Sequence, residues 1–245
     1  MNIYGLIGYP LGHSFSKKYF TEKFELIGIA DNNAYELFEL ADIQAFPELI
    51  KNQPELKGLN VTIPHKQAIM PFLDCLDASA EKVGAVNVIK IGEGGKLIGY
   101  NSDYYGFKLS LEEFIPANTS LKALVLGYGG AAKAVIAALE DLSIPYKIVS
   151  RTKSADTLGY EDLVSEIHNY QLIINSSPVG TYPKADQCPD IPYEKLTTEH
   201  YLYDLVYNPV QTLFLQKGEA QGAKTHNGLK MLHLQAEKAW EIWNS

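Results

Sequence analysis

The segment at residues 60–66 carries a lysine, Lys66, which could exchange a proton with a ligand, and the hydrogen-bonding side chains of Asn60 and Thr62. Its polar residues alternate with apolar ones, which predicts a short strand with one polar face, and Pro64 would end that strand. A helical pattern follows, so a lysine is expected where a strand stops and a helix starts. Open α/β sheets bind their ligands at this edge. Taken alone, however, the segment fits a surface lysine on an ordinary strand–turn–helix better than a catalytic lysine.

Hydrogen-bonding side chains also stand at other predicted strand ends. Ser14 and Ser16 follow the N-terminal strand, where two hydroxyls and the free amides of a helix start form a neutral socket for an anion. As a lone S-x-S pair, they are more simply explained as helix caps. Asp103 has the same alternative, since it precedes a predicted helix. Asn87 lies in an apolar run, which indicates either a satisfied buried amide or a ligand contact.

A glycine-rich turn between a buried strand and a helix predicts a dinucleotide site. The apolar strand at residues 122–126 runs directly into the turn at residues 127–132, which has the form G-x-G-x-x-A. Glycines at this spacing permit a tight turn, close approach of the backbone to a pyrophosphate, and close packing of the helix on the strand. A merely structural turn is the weaker explanation.

The end of the next strand indicates which dinucleotide is bound. An NAD site usually has an acidic residue there, but this chain has Ser150, followed by Arg151, Thr152 and Lys153. A planar guanidinium suits a 2′-phosphate, so the pattern favours NADP over NAD. The alternative is a solvated basic corner.

Composition and charge exclude several classes of function. The chain has 245 residues, of which 46% are hydrophobic and 20% charged, enough for one large domain or two small ones. Its net charge of −8, without a basic tract, argues against a nucleic-acid partner. Two distant cysteines and six histidines without metal-ligand spacing predict neither a disulfide framework nor a metal site. With no signal-peptide pattern and no membrane-spanning apolar run, we expect a cytoplasmic protein without membrane contact.

The order of predicted elements indicates α/β architecture. Strands and helices alternate through the first hundred residues, which favours a mostly parallel sheet, and helices are predicted at 17–28 and 65–76. A six-element α/β unit follows from residue 122, with a helix predicted at 160–168. After residue 227, an apolar stripe at helical spacing predicts a further core helix.

Taken in order, these motifs resemble the shikimate dehydrogenase family over essentially the full length of the chain. Several motifs in one order are far more specific than any one of them. The matching segments are Ser14-Phe15-Ser16 after His13, and residues 60–66, 84–87, 101–103, 127–131, 150–152, 175–180, 204–209 and 228–235.

The resemblance implies a fold and a reaction. It implies a substrate domain with a mostly parallel sheet, residues 1–103 plus 226–245, and a Rossmann-type NADP-binding domain, residues 104–225. The reaction would be the reversible reduction of 3-dehydroshikimate to shikimate, with NADPH supplying the hydride and the protein supplying orientation and a proton. The protein would be a monomer or homodimer. Shikimate would be its small-molecule partner.

The resemblance also implies the site residues. Lys66 and Asp103 would be the catalytic pair, while His65 is a weaker rival proton donor because adjacent side chains usually point in different directions. The implied substrate-binding residues are Ser14, Ser16, Asn60, Thr62, Asn87, Tyr207 and Gln235. The implied cofactor-binding residues are Gly127, Gly129, Gly130, Ala131, Arg151, Thr152, Lys153 and Met231.

Three departures from the family pattern bear on the cofactor more than on the substrate. Tyr128 stands where the family usually has Ala, Ser150 where Asn is common, and Thr181 where Met is common.

One alternative function is that of a quinate/shikimate dehydrogenase that also uses NAD. The other is a dinucleotide-binding sensor without catalysis, against which the presence of Lys66 and Asp103 argues.

Overall fold

The structure, a computed structural model, describes residues 1–12, 14–117 and 120–245. His13, which belongs to one of the matching motifs, lies outside the described residues. The chain forms two compact units, residues 1–102 with 236–245 (unit 1) and residues 103–235 (unit 2). Within the described residues, no helix combines the length and the apolar character needed to span a membrane. The predicted domain limits remain predictions.

Unit 1 is built on a six-stranded mixed sheet with the order β2-β1-β3-β5-β6-β4. Three strand pairings are parallel and two are antiparallel, so the predicted mostly parallel sheet is confirmed. The strands are β1 Asn2–Gly8, β2 Asn33–Glu39, β3 Leu56–Val61, β4 Cys75–Leu76, β5 Val88–Ile91 and β6 Leu97–Tyr100. The helices are α1 Phe15–Leu26, α2 Phe46–Asn52 and α3 Ala78–Val83.

An aromatic core covers one face of the unit 1 sheet. Phe20 of α1 stacks on Tyr35 of β2, with ring centroids 4.8 Å apart and planes 10° from parallel. Trp243 joins this cluster from the C-terminal helix and donates its indole N–H to the Ile89 carbonyl at 3.0 Å. Gly58 makes room for it, since a Cβ at that position would lie 2.2 Å from the indole ring.

Unit 2 is a doubly wound parallel sheet with the order β12-β11-β10-β7-β8-β9. All five pairings that join its strands are parallel, and the order reverses beside β7, as in a Rossmann-type fold. The strands are β7 Ala123–Leu126, β8 Tyr146–Val149, β9 Thr157–Leu158, β10 Leu172–Asn175, β11 Tyr201–Asp204 and β12 Lys224–His226. The helices are α4 Ser102–Phe114, α5 Gly130–Asp141, α6 Leu163–Glu166, α7 Leu213–Glu219 and α8 Leu229–Asn244, whose residues from 236 onward belong to unit 1.

The helix predicted at residues 65–76 does not form, and that prediction is wrong. The segment contains turns, a short 3-10 helix at Met70–Phe72 and the two-residue strand β4. Pro71 lies within it and lacks the amide proton that a helix interior requires. Ile69 is nevertheless fully buried, so the apolar spacing identified a core position but not the backbone conformation.

The helix predicted at residues 160–168 is much shorter than expected. Only α6 is α-helical, and 3-10 turns flank it at Tyr160–Asp162 and Ile167–Asn169. The buried apolar positions, Leu163 and Ile167, are one helical turn apart, so burial stabilises a single turn.

Candidate active site

The lysine segment leaves the sheet earlier than predicted, because β3 ends at Val61. The chain then turns across the sheet end, where the Thr62 amide donates to the Ile7 carbonyl and the Thr62 carbonyl accepts from the His65 amide, both at 2.9 Å. Lys66 is half-buried, and its carbonyl accepts from the Val86 amide at 2.7 Å. Its backbone is therefore held between two strand ends.

His65, the rival proton donor, is committed to a structural hydrogen bond. Its side chain is only 3% exposed, and Nε2 lies 2.6 Å from the Leu40 carbonyl oxygen. A carbonyl oxygen can only accept, so this nitrogen carries the proton and gives it to the backbone. This contact favours Lys66 over His65 as the proton donor.

A series of hydrogen bonds links several substrate-binding candidates inside unit 1. The Tyr35 hydroxyl donates to Asn60 Oδ1 at 2.7 Å, and the Ser16 side chain opposes the rise that burial causes in the pKa of this hydroxyl. Asn60 Nδ2 donates to the Asn87 carbonyl at 3.4 Å. Asn87 in turn exchanges two bonds with Ser102, from Nδ2 to Oγ at 3.0 Å and from the Ser102 amide to Oδ1 at 2.6 Å. Both asparagines are therefore buried amides with partners, and each retains donor or acceptor capacity for a ligand.

The serine pair stands at the start of α1. Ser14 is the N-cap and accepts from the Lys17 amide at 3.3 Å, so the helix-cap interpretation holds for it. Ser16 lies in the first turn, and both side chains are half-buried. Capping and ligand binding are compatible, because a serine oxygen that accepts one bond still has a proton to donate.

The predicted residues Asp103, Met231 and Gln235 lie on two helices of unit 2 that pack against each other, α4 and α8. Gly106 of α4 lies against the α8 backbone: a Cβ there would be 2.7 Å from the Met231 carbonyl oxygen and 2.9 Å from the Gln235 nitrogen. Asp103 precedes Gly106 by one helical turn. Met231 is nearly buried in the core beside Phe107, and Gln235 Nε2 donates to the Leu232 carbonyl at 3.1 Å.

The glycine turn opens into a cavity of about 540 Å³ at the carboxyl end of the parallel sheet. Gly127 has a φ of +99°, which disfavours any side chain, and a Cβ there would lie 3.2 Å from Ser177. Gly129 and Gly130 face open space, and within the described chain no side chain caps the start of α5. The cavity is lined by Gly127, Tyr128, Gly129, Val149, Ser150, Arg151, Tyr160, Ser176, Ser177, Pro178 and Val179.

This turn fits a pyrophosphate. The amides at the start of a helix and its dipole attract an anion, and a turn without side chains lets the anion approach the backbone. Ala131 lies in the first turn of the same helix. Tyr128 is 65% exposed and lines the cavity, so the departure from the family pattern places an aromatic ring beside the turn without filling it.

Of the three residues proposed for the 2′-phosphate, Arg151 lines the cavity. Burial raises the pKa of the neighbouring Tyr160, and the positive charge of Arg151 opposes that shift. Lys153 instead pairs with Asp162 at 2.8 Å, which raises the pKa of the lysine and lowers that of the carboxyl. Ser150 Oγ accepts from the Thr152 amide at 3.3 Å, so this serine closes its own turn.

A buried carboxylate that the sequence did not single out supports the ends of β10 and β11. Asp204 is fully buried and accepts from Asn175 Nδ2 at 2.9 Å, the Val206 amide at 3.0 Å and Thr212 Oγ1 at 2.6 Å. Asn175 Oδ1 accepts from the Ser177 amide and hydroxyl, which extends the network to the cavity wall. Burial raises the pKa of Asp204 to about 6, although its three hydrogen bonds act in the opposite direction.

Tyr207 follows this network at the end of β11. Its ring is 38% exposed, and partial burial raises the pKa of its hydroxyl.

Neither Asp204 nor Tyr35 was assigned a role from the sequence, because an acidic residue at the end of a strand and a tyrosine within a strand are both common structural features. Among the described residues, no cluster of His, Cys, Asp and Glu is placed to hold a metal ion.

Comparison with known proteins adds independent information. A model of the shikimate dehydrogenase substrate-binding domain matches residues 6–89. The shikimate dehydrogenase (NADP(+)) of Methanococcus maripaludis is 38% identical, over 98% of this chain and 90% of the relative. That of Clostridium beijerinckii is 41% identical, over 99% and 92%. The crystal structure of shikimate 5-dehydrogenase from Thermus thermophilus, in complex with NADP(H) and shikimate, has a TM-score of 0.85 at 30% identity, over 99% and 93%.

Proposed function

Because the chain belongs to the shikimate dehydrogenase family, we propose that it catalyses the NADP-dependent, reversible reduction of 3-dehydroshikimate to shikimate. It is an oxidoreductase of the shikimate pathway. One structural observation carries the proposal: an open glycine turn at the switch point of a parallel sheet, with a cationic side chain at the end of the next strand. This arrangement supports NADP as the cofactor.

The proton chemistry is assigned to Lys66. NADPH, when bound, supplies a hydride to the substrate ketone, and the ketone oxygen then requires a proton. The Lys66 ammonium donates that proton in reduction, and the neutral amine takes it back in oxidation. Two observations support this assignment. Lys66 is half-buried, and the proton on His65 Nε2 is already donated to the Leu40 carbonyl. Asp103 is proposed as its partner, where a carboxylate would orient the ammonium and balance its charge.

The substrate is held by neutral hydrogen-bonding groups. Ser14 and Ser16 are proposed to donate to its carboxylate at the start of α1, where the helix amides also favour an anion. The other groups proposed to hold or line its ring are Asn60, Thr62, Asn87, Tyr207 and Gln235. Met231 is proposed to lie against the nicotinamide. With this function we also propose the domain limits given above, a location in the cytoplasm, and a monomeric or homodimeric state.

Substitution of Lys66 tests the proposed reaction. Lys66→Ala is expected to retain the fold and to lower kcat at least about a hundredfold, since a positioned acid–base group contributes roughly 10²–10⁴-fold. The measurement is NADPH formation by the purified protein with shikimate and NADP⁺. The matched control is Lys57→Ala, which removes an exposed lysine of β3 with the same change of charge and is expected to retain full turnover.

Near-normal turnover of Lys66→Ala would contradict the assignment of the proton donor. The same assay with quinate and with NAD⁺ separates the proposed function from a quinate/shikimate dehydrogenase of relaxed cofactor use. Measurable turnover of the unaltered protein excludes a non-catalytic sensor.

A further inference from the structure

Tyr35 stands out because its hydroxyl binds Asn60, a proposed substrate-binding residue that is 25 positions away in the sequence. It donates to Asn60 Oδ1 at 2.7 Å, and the Ser16 side chain opposes the rise that burial causes in the pKa of the same hydroxyl. Tyr35 is on β2 and Asn60 on β3, with β1 between them in the sheet. Two strand spacings amount to roughly 10 Å, so only a long side chain with a polar end can make this contact.

The hydroxyl, and not the ring, distinguishes this position from ordinary core. The ring stacks on Phe20 and lies near Trp243, contacts that a phenylalanine would make equally well. A buried hydroxyl is unfavourable unless it is hydrogen-bonded, and Tyr35 is 3% exposed. The same burial raises the pKa of the phenol, so its proton stays in place.

The direction of the bond decides what Asn60 can offer to a ligand. The phenol gives its one proton to Oδ1, which turns the amide oxygen toward Tyr35 and leaves the Nδ2 donors on the other side. One Nδ2 proton goes to the Asn87 carbonyl at 3.4 Å, which is a weak contact. The second is available to a ligand oxygen. The bond from Tyr35 to Asn60 uses the phenol proton, so the Ser16 hydroxyl keeps its own proton for a bound carboxylate.

We infer that Tyr35 is a positioning residue that holds the Asn60 amide with its N–H donors toward the substrate. In this orientation Asn60 donates a hydrogen bond to a substrate oxygen. The inference rests on the proposed function. Without the phenol, the long contact to Asn87 alone would hold the amide, and the amide could turn its oxygen toward the ligand. Substrate binding would weaken, whereas cofactor binding would not change.

Tyr35→Phe removes only the hydroxyl. Its expected effect is a roughly three- to tenfold increase in the KM for shikimate, the range that corresponds to one neutral hydrogen bond, with the KM for NADP⁺ unchanged. The matched control is Tyr203→Phe, which removes another buried phenol hydroxyl, bonded to Ser110 Oγ at 2.8 Å in unit 2. The control is expected to leave the KM for shikimate unchanged. Thermal unfolding of both variants shows that they fold.

A double-mutant cycle separates positioning from a general structural effect. In an Asn60→Ala background, Tyr35→Phe is expected to have no further effect on the KM for shikimate, since the amide that it orients is gone. An equal effect in both backgrounds would overturn the inference. So would an unchanged KM in Tyr35→Phe when the unaltered protein is active. Absence of shikimate turnover in the unaltered protein would instead refute the proposed function, and the inference with it.

Discussion

At the residue scale, recognition of the cofactor phosphate is expected to depend on the exposed guanidinium of Arg151. Arg151 lines the cavity beside the glycine turn, whereas Lys153, two residues later, is paired with Asp162. A guanidinium can form two parallel hydrogen bonds to a phosphate, which a lysine cannot. Preference for NADP over NAD is therefore expected to depend mainly on Arg151.

Arg151→Ala is expected to raise the KM for NADP⁺ roughly ten- to hundredfold, since a hydrogen bond to a charged group contributes about 1.5–3 kcal/mol and each 1.4 kcal/mol is tenfold. The KM for NAD⁺, which lacks the 2′-phosphate, is expected to change little. Both constants are measured in the shikimate oxidation assay.

Lys153→Ala is the control for Arg151→Ala, because it removes the same charge from the same turn. Its effect on the KM for NADP⁺ is expected to be smaller, since its ammonium is occupied by Asp162. Equal effects of the two variants would show that the turn acts through its net charge and not through the guanidinium.

At the scale of elements, the contact between α4 and α8 sets the spacing between the two helices that carry Asp103 and Gln235. The two backbones meet at Gly106, where no side chain separates them. A helix pair in contact at a glycine behaves as one packed body, so a change of spacing there would displace every site residue on α8.

Gly106→Ala is expected to lower the free energy of unfolding by about 1–3 kcal/mol, because the new Cβ overlaps backbone atoms that cannot rotate away. The higher helix propensity of alanine offsets up to about 1 kcal/mol of this loss. Displacement of Gln235 and Met231 is expected to reduce kcat/KM for shikimate as well. Urea unfolding and steady-state kinetics measure the two effects.

Gly218→Ala provides the comparison for Gly106→Ala. It also adds a methyl group to a crowded helical glycine of unit 2, but its nearest neighbour is the side chain of Leu202. It is expected to destabilise the protein without changing kcat/KM. A similar kinetic effect in both variants would contradict a specific role for the α4–α8 contact.

At the scale of the whole molecule, one buried carboxylate links stability to pH. Burial raises the pKa of Asp204 to about 6, above its ordinary value of 3.8, so the folded protein binds this proton more tightly than the unfolded chain. The stabilisation from protonation is fully present below about pH 4 and is lost as the pH rises through about 6. Its size is on the order of 3 kcal/mol, at 1.36 kcal/mol for each unit of pKa.

Asp204→Asn is expected to abolish this dependence. The asparagine oxygen can keep the bonds from Val206 and Asn175, and its amino group can donate to Thr212 Oγ1, so the network survives without a buried charge. Relative to the unaltered protein, the variant is expected to gain stability as the pH rises from about 4 to about 6. Urea unfolding across this range measures the difference.

Asp186→Asn controls for the change in net charge, since Asp186 is exposed. A stability difference between Asp204→Asn and the unaltered protein that stays constant from pH 4 to 7 would contradict the assignment.

The sequence by itself determined the family, the Rossmann-type unit, the glycine turn and the positions of the proposed site residues. These features are encoded locally: apolar runs produce buried strands such as β7, and a turn without side chains requires glycines such as Gly127. The helix predicted at residues 65–76 does not form, because apolar spacing indicates which positions are buried and not which backbone conformation they adopt.

The tertiary structure alone decided which polar groups meet. Tyr35 reaches Asn60 across an intervening strand, His65 is occupied by the Leu40 carbonyl, and Asp204 joins the ends of two strands. No local pattern encodes these contacts, because each joins residues at least 25 positions apart, at distances set by strand order and helix packing. Hydrogen bonds are short and directional, so their partners are decided only once the backbone is in place.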